Sequence, residues 1–209
     1  MARVIAGEAG GRRLAVPEGR DTRPTSNRAR EGLFATICSI TGSLAGSLAG
    51  ARVLDLYAGS GAVGLEALSR GAGHVLLVES APRAARVIRE NIQAIGLTGA
   101  EVVTDRVERV LSRGPSSRDG RDGRDRYDIV FADPPYALAD HDVTGMLTLL
   151  ADRAWLAPGA LVVVERATRS GPVTWPGGYR PDRARRYGEA TFWYGLAPGG
   201  PGADRPGSA

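Results

Sequence analysis

From Ala51 onward the chain alternates between short, near-continuously apolar runs and longer stretches whose apolar residues recur at helical spacing. The apolar runs are 52–57, 74–79, 101–104, 127–132 and 160–166; the stretches between them are 62–70, 82–95, 105–112 and 141–151. In 82–95, Val87, Ile88, Ile92 and Ile95 share one face ahead of Gly96, which predicts a helix packed by one stripe and stopped by glycine. Strands apolar on both faces are buried on both, the condition of parallel strands joined by helical crossovers. The pattern predicts an α/β fold, a doubly wound and mostly parallel Rossmann-like sheet. Residues 183–187 and 191–196, joined around Gly188-Glu189, predict a closing antiparallel hairpin.

Before Ala51 the pattern differs. Arg3-Val4-Ile5-Ala6-Gly7 and Arg12-Arg13-Leu14-Ala15-Val16 predict a short hairpin around Gly10-Gly11. Pro24-Thr25-Ser26-Asn27 then reads as a helix start, followed by an apolar stripe of Leu33, Phe34, Ile37 and Cys38. Small residues at 42–50 (G-S-L-A-G-S-L-A-G) read as a linker. The expected division is a small N-terminal β-hairpin/helix extension, 1–45, a main domain, 46–197, and a disordered tail, 198–209. Residues 114–126 repeat R-D-G without an aliphatic or aromatic side chain, which predicts a mobile loop.

Composition narrows the setting. No run approaches the roughly 18 apolar residues of a spanning helix, and the first residues lack the apolar core of a signal peptide, so a cytoplasmic protein is expected. The single Cys38 excludes an intramolecular disulfide. Net charge is +4, and all 27 basic residues other than histidine are arginine. Residues 1–30 hold seven arginines against Glu8, Glu18 and Asp21, an excess equal to that of the whole chain. Such an arm suits nucleic acid, although basic surfaces without that role are common.

Two runs carry the chemistry. Val53-Leu54-Asp55-Leu56-Tyr57-Ala58-Gly59-Ser60-Gly61-Ala62 reads as a buried strand breaking into a glycine turn. Such a turn lets backbone N–H groups and a helix N-terminus approach a ligand closely. Its G-x-G-x-x-G spacing alone equally suits a dinucleotide. Asp55, inside the run, is placed to receive a cationic amino-acid moiety, directly or through water, unless it only caps nearby backbone. Glu79 closes the next strand, where a bidentate acceptor holds both ribose hydroxyls or simply meets solvent. Tyr57, Ala58, Gly59, Gly61 and Ser80 complete the candidate cofactor contacts. Asp105, ending the third strand, accepts from an adenine amine or caps the helix that follows.

The second run is Asp133-Pro134-Pro135-Tyr136, at the end of strand 127–132. An exocyclic base amine is a poor nucleophile because its lone pair is delocalised into the ring. Acceptors on its two N–H bonds pull it toward tetrahedral geometry and free the lone pair for in-line attack on a sulfonium methyl. Asp133 supplies one acceptor and the Pro134 carbonyl the other, since proline fixes the backbone and has no competing N–H. Tyr136 offers a face for a flipped base. Neither a metal nor a covalent intermediate is needed. Cys38, on an apolar stripe, is packed rather than nucleophilic, and His74 and His141 lack metal-ligand spacing. Arg30 falls on the inward stripe beside Phe34 and Ile37, with Arg28 nearly opposite. The phase predicts that Arg30 faces the cleft near Asp133–Tyr136, pairing with a carboxylate or meeting RNA, unless it snorkels to solvent.

The residues together resemble a known family. Arg23-Pro24-Thr25, Arg28, Arg30-Glu31, Leu33-Phe34, then D-L-Y-A-G-S-G-A-V-G-L-E-A-L-S-R-G-A and D-P-P-Y are similar to the RsmD-type 16S rRNA guanine-N2 methyltransferases of bacteria. The likeness covers about residues 3–196. It implies a class I methyltransferase fold with S-adenosylmethionine as donor and S-adenosylhomocysteine as product. It implies the N2 amine of guanine 966 of 16S rRNA as acceptor, on an assembled or partly assembled 30S particle. Asp55, Gly59, Gly61 and Glu79 match the family's cofactor motifs and Asp133–Tyr136 its catalytic motif. The arm supplies candidate RNA contacts at Arg12, Arg13, Arg23, Thr25, Arg28 and Arg30. No metal is implied, and a monomer is expected.

The same amine clamp would serve a DNA adenine-N6 or cytosine-N4 methyltransferase, but no segment is large enough for a domain that reads DNA sequence. An NAD-dependent oxidoreductase would use the glycine turn and Glu79 while leaving Asp55 and D-P-P-Y without a role. A non-catalytic RNA-binding module would leave both motifs idle.

Overall fold

The structure, a computed structural model, describes residues 2–17, 26–43, 46–115 and 126–199. Arg23 and Thr25, residues 116–125 of the expected R-D-G loop, and the tail from residue 200 lie outside the described residues.

A seven-stranded sheet carries the fold. Its strands are β3 (Arg52–Leu56), β4 (His74–Val78), β5 (Ala100–Val103), β6 (Tyr127–Ala132), β7 (Leu156–Ala167), β8 (Arg180–Tyr187) and β9 (Ala190–Leu196), in the order β5-β4-β3-β6-β7-β9-β8. The pairs from β5 to β7 are parallel, while β9 runs antiparallel to both β7 and β8. The helices are α1 (Asn27–Thr41), α2 (Ala62–Ser69), α3 (Pro82–Ile95), α4 (Val107–Arg113) and α5 (Asp140–Asp152). This is the predicted doubly wound, mostly parallel Rossmann-like sheet with its antiparallel end.

Alternation along the strands sorts the core into two layers. Val53, Val75, Leu77, Ile129, Phe131 and Val163 face α1, α2 and α3. Leu54, Leu56, Leu76, Val78, Val130 and Val162 face α4 and α5. Chain order reverses between β3 and β6, so a crevice opens at their C-terminal ends, where ligands bind in sheets of this kind.

The first helix belongs to this core. Leu33, Phe34, Ile37 and Cys38 pack in one cluster with Phe192 and Tyr194 of β9. A Cβ on Gly32 would lie 2.2 Å from the Tyr187 hydroxyl, so a side chain there would displace the Tyr187 ring of β8 from its seat on α1. Ser26 starts the helix by accepting from the Ala29 N–H at 3.1 Å.

The N-terminal hairpin is shorter than predicted. Its ladder is only β1 (Ala2–Arg3) against β2 (Arg13–Leu14), with Ala2 opposite Leu14 and Arg3 opposite Arg13. Val4 still bonds across the hairpin to Arg12 and Gly11, and beyond it the backbone finds other partners. Ile5 and Ala6 donate to the two Glu66 carboxylate oxygens at 2.6 and 3.0 Å, and Ala15 pairs with the Asn91 side chain. Two further differences come from competing signals. β7 starts at Leu156, well before 160, because a register irregularity opposite Tyr127 and Ile129 absorbs Pro158 and Gly159. α4 starts at Val107 rather than 105, with Arg106 as its cap residue.

Candidate active site

Between β3 and α2 the chain must turn sharply beside a strand end. Tyr57 takes φ 59°, uncommon for a residue with a side chain, and Gly61 takes φ 76° as the residue before α2. Asp55 is buried and its Oδ2 accepts from the Gly64 N–H at 2.8 Å. A Cβ on Gly64 would lie 2.9 Å from Leu77 and Val75 and 3.0 Å from that same oxygen, so the third glycine of the motif permits this approach. Burial is the main cause that lifts the Asp55 carboxyl to about 8, with Glu79 adding to it and the Gly64 N–H opposing it. A carboxylate so placed is stabilised by an incoming cation.

Glu79 is buried, not splayed into solvent. Its two oxygens accept from the Gly59 N–H at 2.8 Å and the Ala81 N–H at 2.7 Å. That fixes the carboxylate plane between the glycine turn and the start of α3, and each oxygen retains a lone pair for a ligand hydroxyl.

The two motifs share one cleft of about 300 Å³. Asp55, Tyr57, Ala58, Gly59, Glu79 and Ser80 line one part of it, and Asp133, Pro134, Pro135 and Tyr136 the other. Asp133 follows β6 and donates its N–H to the Leu56 carbonyl at 3.3 Å, which ties the second motif to the end of β3. Burial first, then the charges of Glu165 and Asp55, hold the Asp133 carboxyl well above the usual carboxylate range. Tyr136 is 49% exposed at the mouth. Asp105 does not line this cleft: its oxygens sit 3.3 and 3.2 Å from Arg109 and Arg113 of α4. Those two ion pairs hold Asp105 against α4.

The arm residues behave differently from expectation. Arg30 is inward, as its phase predicts, but it is fully buried and is not among the residues that line the cleft with Asp133–Tyr136. Its Nη2 donates to the Arg3 carbonyl and to Asn27 Oδ1, and its Nε lies 4.0 Å from Glu66. An enclosed guanidinium cannot meet RNA, so Arg30 is corrected from an RNA contact to a clamp between the hairpin, α1 and α2. Arg12 donates Nη1 to the carbonyls of Ala94 and Ile95, closing the C-terminal end of α3. Arg13 and Arg28 are exposed.

The structure adds residues that the motifs did not reveal. Val16 and Pro17 line the cleft, so the N-terminal segment forms part of its wall. Asn91 holds them there, bonding Ala15 on both sides and donating to the Ser60 carbonyl at 3.0 Å. Its signal was a polar residue between Ile88 and Ile95 on the inward stripe of α3. Glu66 likewise interrupts an apolar run. Arg166, buried on β7, donates to the Leu138 carbonyl at 2.9 Å and to Asp140 at 2.8 Å, pinning the loop that follows Tyr136.

Comparisons with known proteins show what the whole chain is similar to. A family model described as conserved hypothetical protein 95 matches residues 2–195. The Escherichia coli protein named ribosomal RNA small subunit methyltransferase D is 33% identical over 190 residues, which cover 91% of this chain and 87% of that protein. The solved structure of Escherichia coli yhhF, 30% identical, superposes with a TM-score of 0.78 over 95% of this chain and 98% of that one. SMU.776, solved in complex with S-adenosylhomocysteine, is 15% identical with a TM-score of 0.58 over 72% of this chain and 46% of that one, a likeness of fold alone.

Proposed function

The chain belongs to the family described as conserved hypothetical protein 95, and from that premise we propose that it methylates the exocyclic N2 amine of a guanine in 16S rRNA. It is an S-adenosylmethionine-dependent RNA methyltransferase whose relatives modify small-subunit rRNA. Guanine 966, on a wholly or partly assembled 30S particle, is the acceptor that the family resemblance favours. The single observation that carries the reading is the shared cleft. The glycine turn with Asp55 and Glu79 and the amine-binding run Asp133–Tyr136 open on one space.

The residues fit the cofactor. Asp55 is a buried carboxylate whose ionisation is held back until a cation arrives, suited to an amino-acid ammonium close by. Glu79, its plane fixed by two backbone donors, presents its remaining acceptor capacity to paired ribose hydroxyls. When bound, S-adenosylmethionine supplies a methyl group on a cationic sulfur. The protein's own part is positioning. Asp133 and the Pro134 carbonyl accept the two amine N–H bonds, and Tyr136 stacks against the base. After transfer the nitrogen carries an extra proton, and the Asp133 carboxylate, more basic than an ordinary one, takes it. The pinned loop 138–140 keeps Tyr136 from drifting during this exchange.

The test is transfer from methyl-labelled cofactor to small-subunit particles that lack the modification, followed by nucleoside mass spectrometry. Labelled N2-methylguanosine is expected. Label in methylated adenosine or cytidine, or in DNA only, would replace the guanine reading.

A further inference from the structure

A second groove, of about 390 Å³, adjoins the cleft and shares Tyr136 with it. Its other walls are Ala167, Thr168, Arg169, Arg186 and Glu189. We propose that this groove binds the phosphate backbone of single-stranded rRNA next to the nucleotide presented to Asp133. The inference rests on the rRNA-methylation reading and assigns it a substrate track that the motifs do not contain.

Three observations carry it. The first is continuity: a nucleotide whose base stacks on Tyr136 must leave its backbone along one side of that ring, and the groove begins there. The second is charge. Residues 168–190 hold five arginines against Asp182 and Glu189, a local excess separate from the N-terminal arm. Within the groove two guanidinium groups share space with one carboxylate, and both arginines are exposed. The third is construction. Thr168 donates its N–H to the Glu189 carbonyl at 2.7 Å and its hydroxyl lies 3.0 Å from that of Thr191, locking together the two loops that form the groove. Arg186 is steadied by donating Nε to the Gly188 carbonyl at 3.1 Å.

Arginine on β8 has another use, since charge on an edge strand blocks pairing with other chains. That accounts for Arg186 but not for Arg169, which lies on the turn after β7 and faces the same groove. Two guanidinium groups beside an aromatic platform are the arrangement that follows a single strand, where bases stack and phosphates meet arginine.

The test uses the full chain, labelled S-adenosylmethionine and small-subunit particles lacking the modification. Arg169→Gln/Arg186→Gln should raise KM for the particles about fivefold or more, leaving KM for S-adenosylmethionine unchanged. The slope of log KM against log salt should flatten by about 0.7 for each phosphate that the groove no longer neutralises. Arg169→Lys/Arg186→Lys should restore the slope, because the charge remains. Arg86→Gln, an exposed charge loss on α3, should leave both unchanged. An active double variant with wild-type particle KM and slope would overturn the groove while leaving the methylation reading intact. A wild-type protein that leaves the particles unlabelled would overturn the reading itself. Should the double variant lose cofactor binding, the single variants Arg169→Gln and Arg186→Gln decide by the same two readouts.

Discussion

Asn91 and Ala15, 76 residues apart, are joined by a reciprocal pair of hydrogen bonds: the Asn91 oxygen accepts the Ala15 N–H at 2.8 Å and its amide donates to the Ala15 carbonyl at 3.0 Å. The same amide donates to Ser60 in the glycine turn. One α3 side chain thus fixes both the turn and the segment that brings Val16 and Pro17 to the cleft. Asn91→Ala should leave buried groups unpaired, costing about 1–3 kcal/mol of stability. It should also weaken S-adenosylmethionine binding by calorimetry, although Asn91 does not line the cleft. Unchanged affinity would mean that the N-terminal wall does not shape the cofactor site.

On the proposed reading, in which Asp133 meets the amine rather than the nucleoside, Asp133→Ala should abolish methyl transfer while leaving cofactor affinity within a few-fold. Parallel calorimetry and single-turnover assays separate the two effects. A matching loss of affinity would move Asp133 to the cofactor side.

Glu79→Ala should have the opposite signature. It removes the acceptor proposed for the ribose and leaves the Gly59 and Ala81 N–H groups without their partner. A loss of about 1–3 kcal/mol in cofactor binding is expected, read as an increase in Kd, with turnover at saturating cofactor much less affected.

The raised carboxyl of Asp55 gives stability a pH signature. Its folded pKa, about 8 against 3.8 for an ordinary aspartate, means that the native state holds a proton which the unfolded chain releases. The contribution is therefore fully present below about pH 4 and is lost as pH rises toward about 8. Asp133 acts in the same direction. Thermal melts of the ligand-free protein should fall between pH 5 and 8, and Asp55→Asn should flatten part of that fall. A wild-type melting temperature that rises across this window would contradict the burial of both groups.

Arg30→Met should cost stability rather than chemistry alone. It leaves the buried Glu66 carboxylate without its second arginine and the Arg3 carbonyl without a donor, a loss of about 3 kcal/mol for a broken buried pair. Arg28→Met, at an exposed position on the same helix, should change the denaturation midpoint little. Equal midpoints for the two variants would remove the clamp.

The sheet was legible because its strands are apolar on both faces and its helices carry clean stripes; β6 and α3 have the predicted bounds. The glycine turn and the D-P-P-Y run stood out for a related reason, since each lies in one short run at a strand end, and the structure brings both to one cleft. What escaped depends on contacts distant in sequence. Arg30 had the right phase but the wrong destination: helical periodicity gives a direction around one axis, whereas its neighbours are set by where the hairpin docks. Glu66 and Asn91 register in a sequence only as polar interruptions of apolar stripes, and nothing local says which backbone they will satisfy. The shortened hairpin has the same origin, because Glu66 competes with the opposite strand for the N–H groups of Ile5 and Ala6.

The packing of α1 on β9 has a consequence for the order in which the molecule can be made. Phe34 and Ile37 leave the ribosome early, yet their partners Phe192 and Tyr194 are among the last described residues to be synthesised. Until then the first helix has no completed surface to rest on, and the inner side of β7 lacks its antiparallel neighbour. The nascent chain must carry that part of the apolar stripe uncovered until β9 follows, and docking of β9 against α1 is a late contact of long loop length.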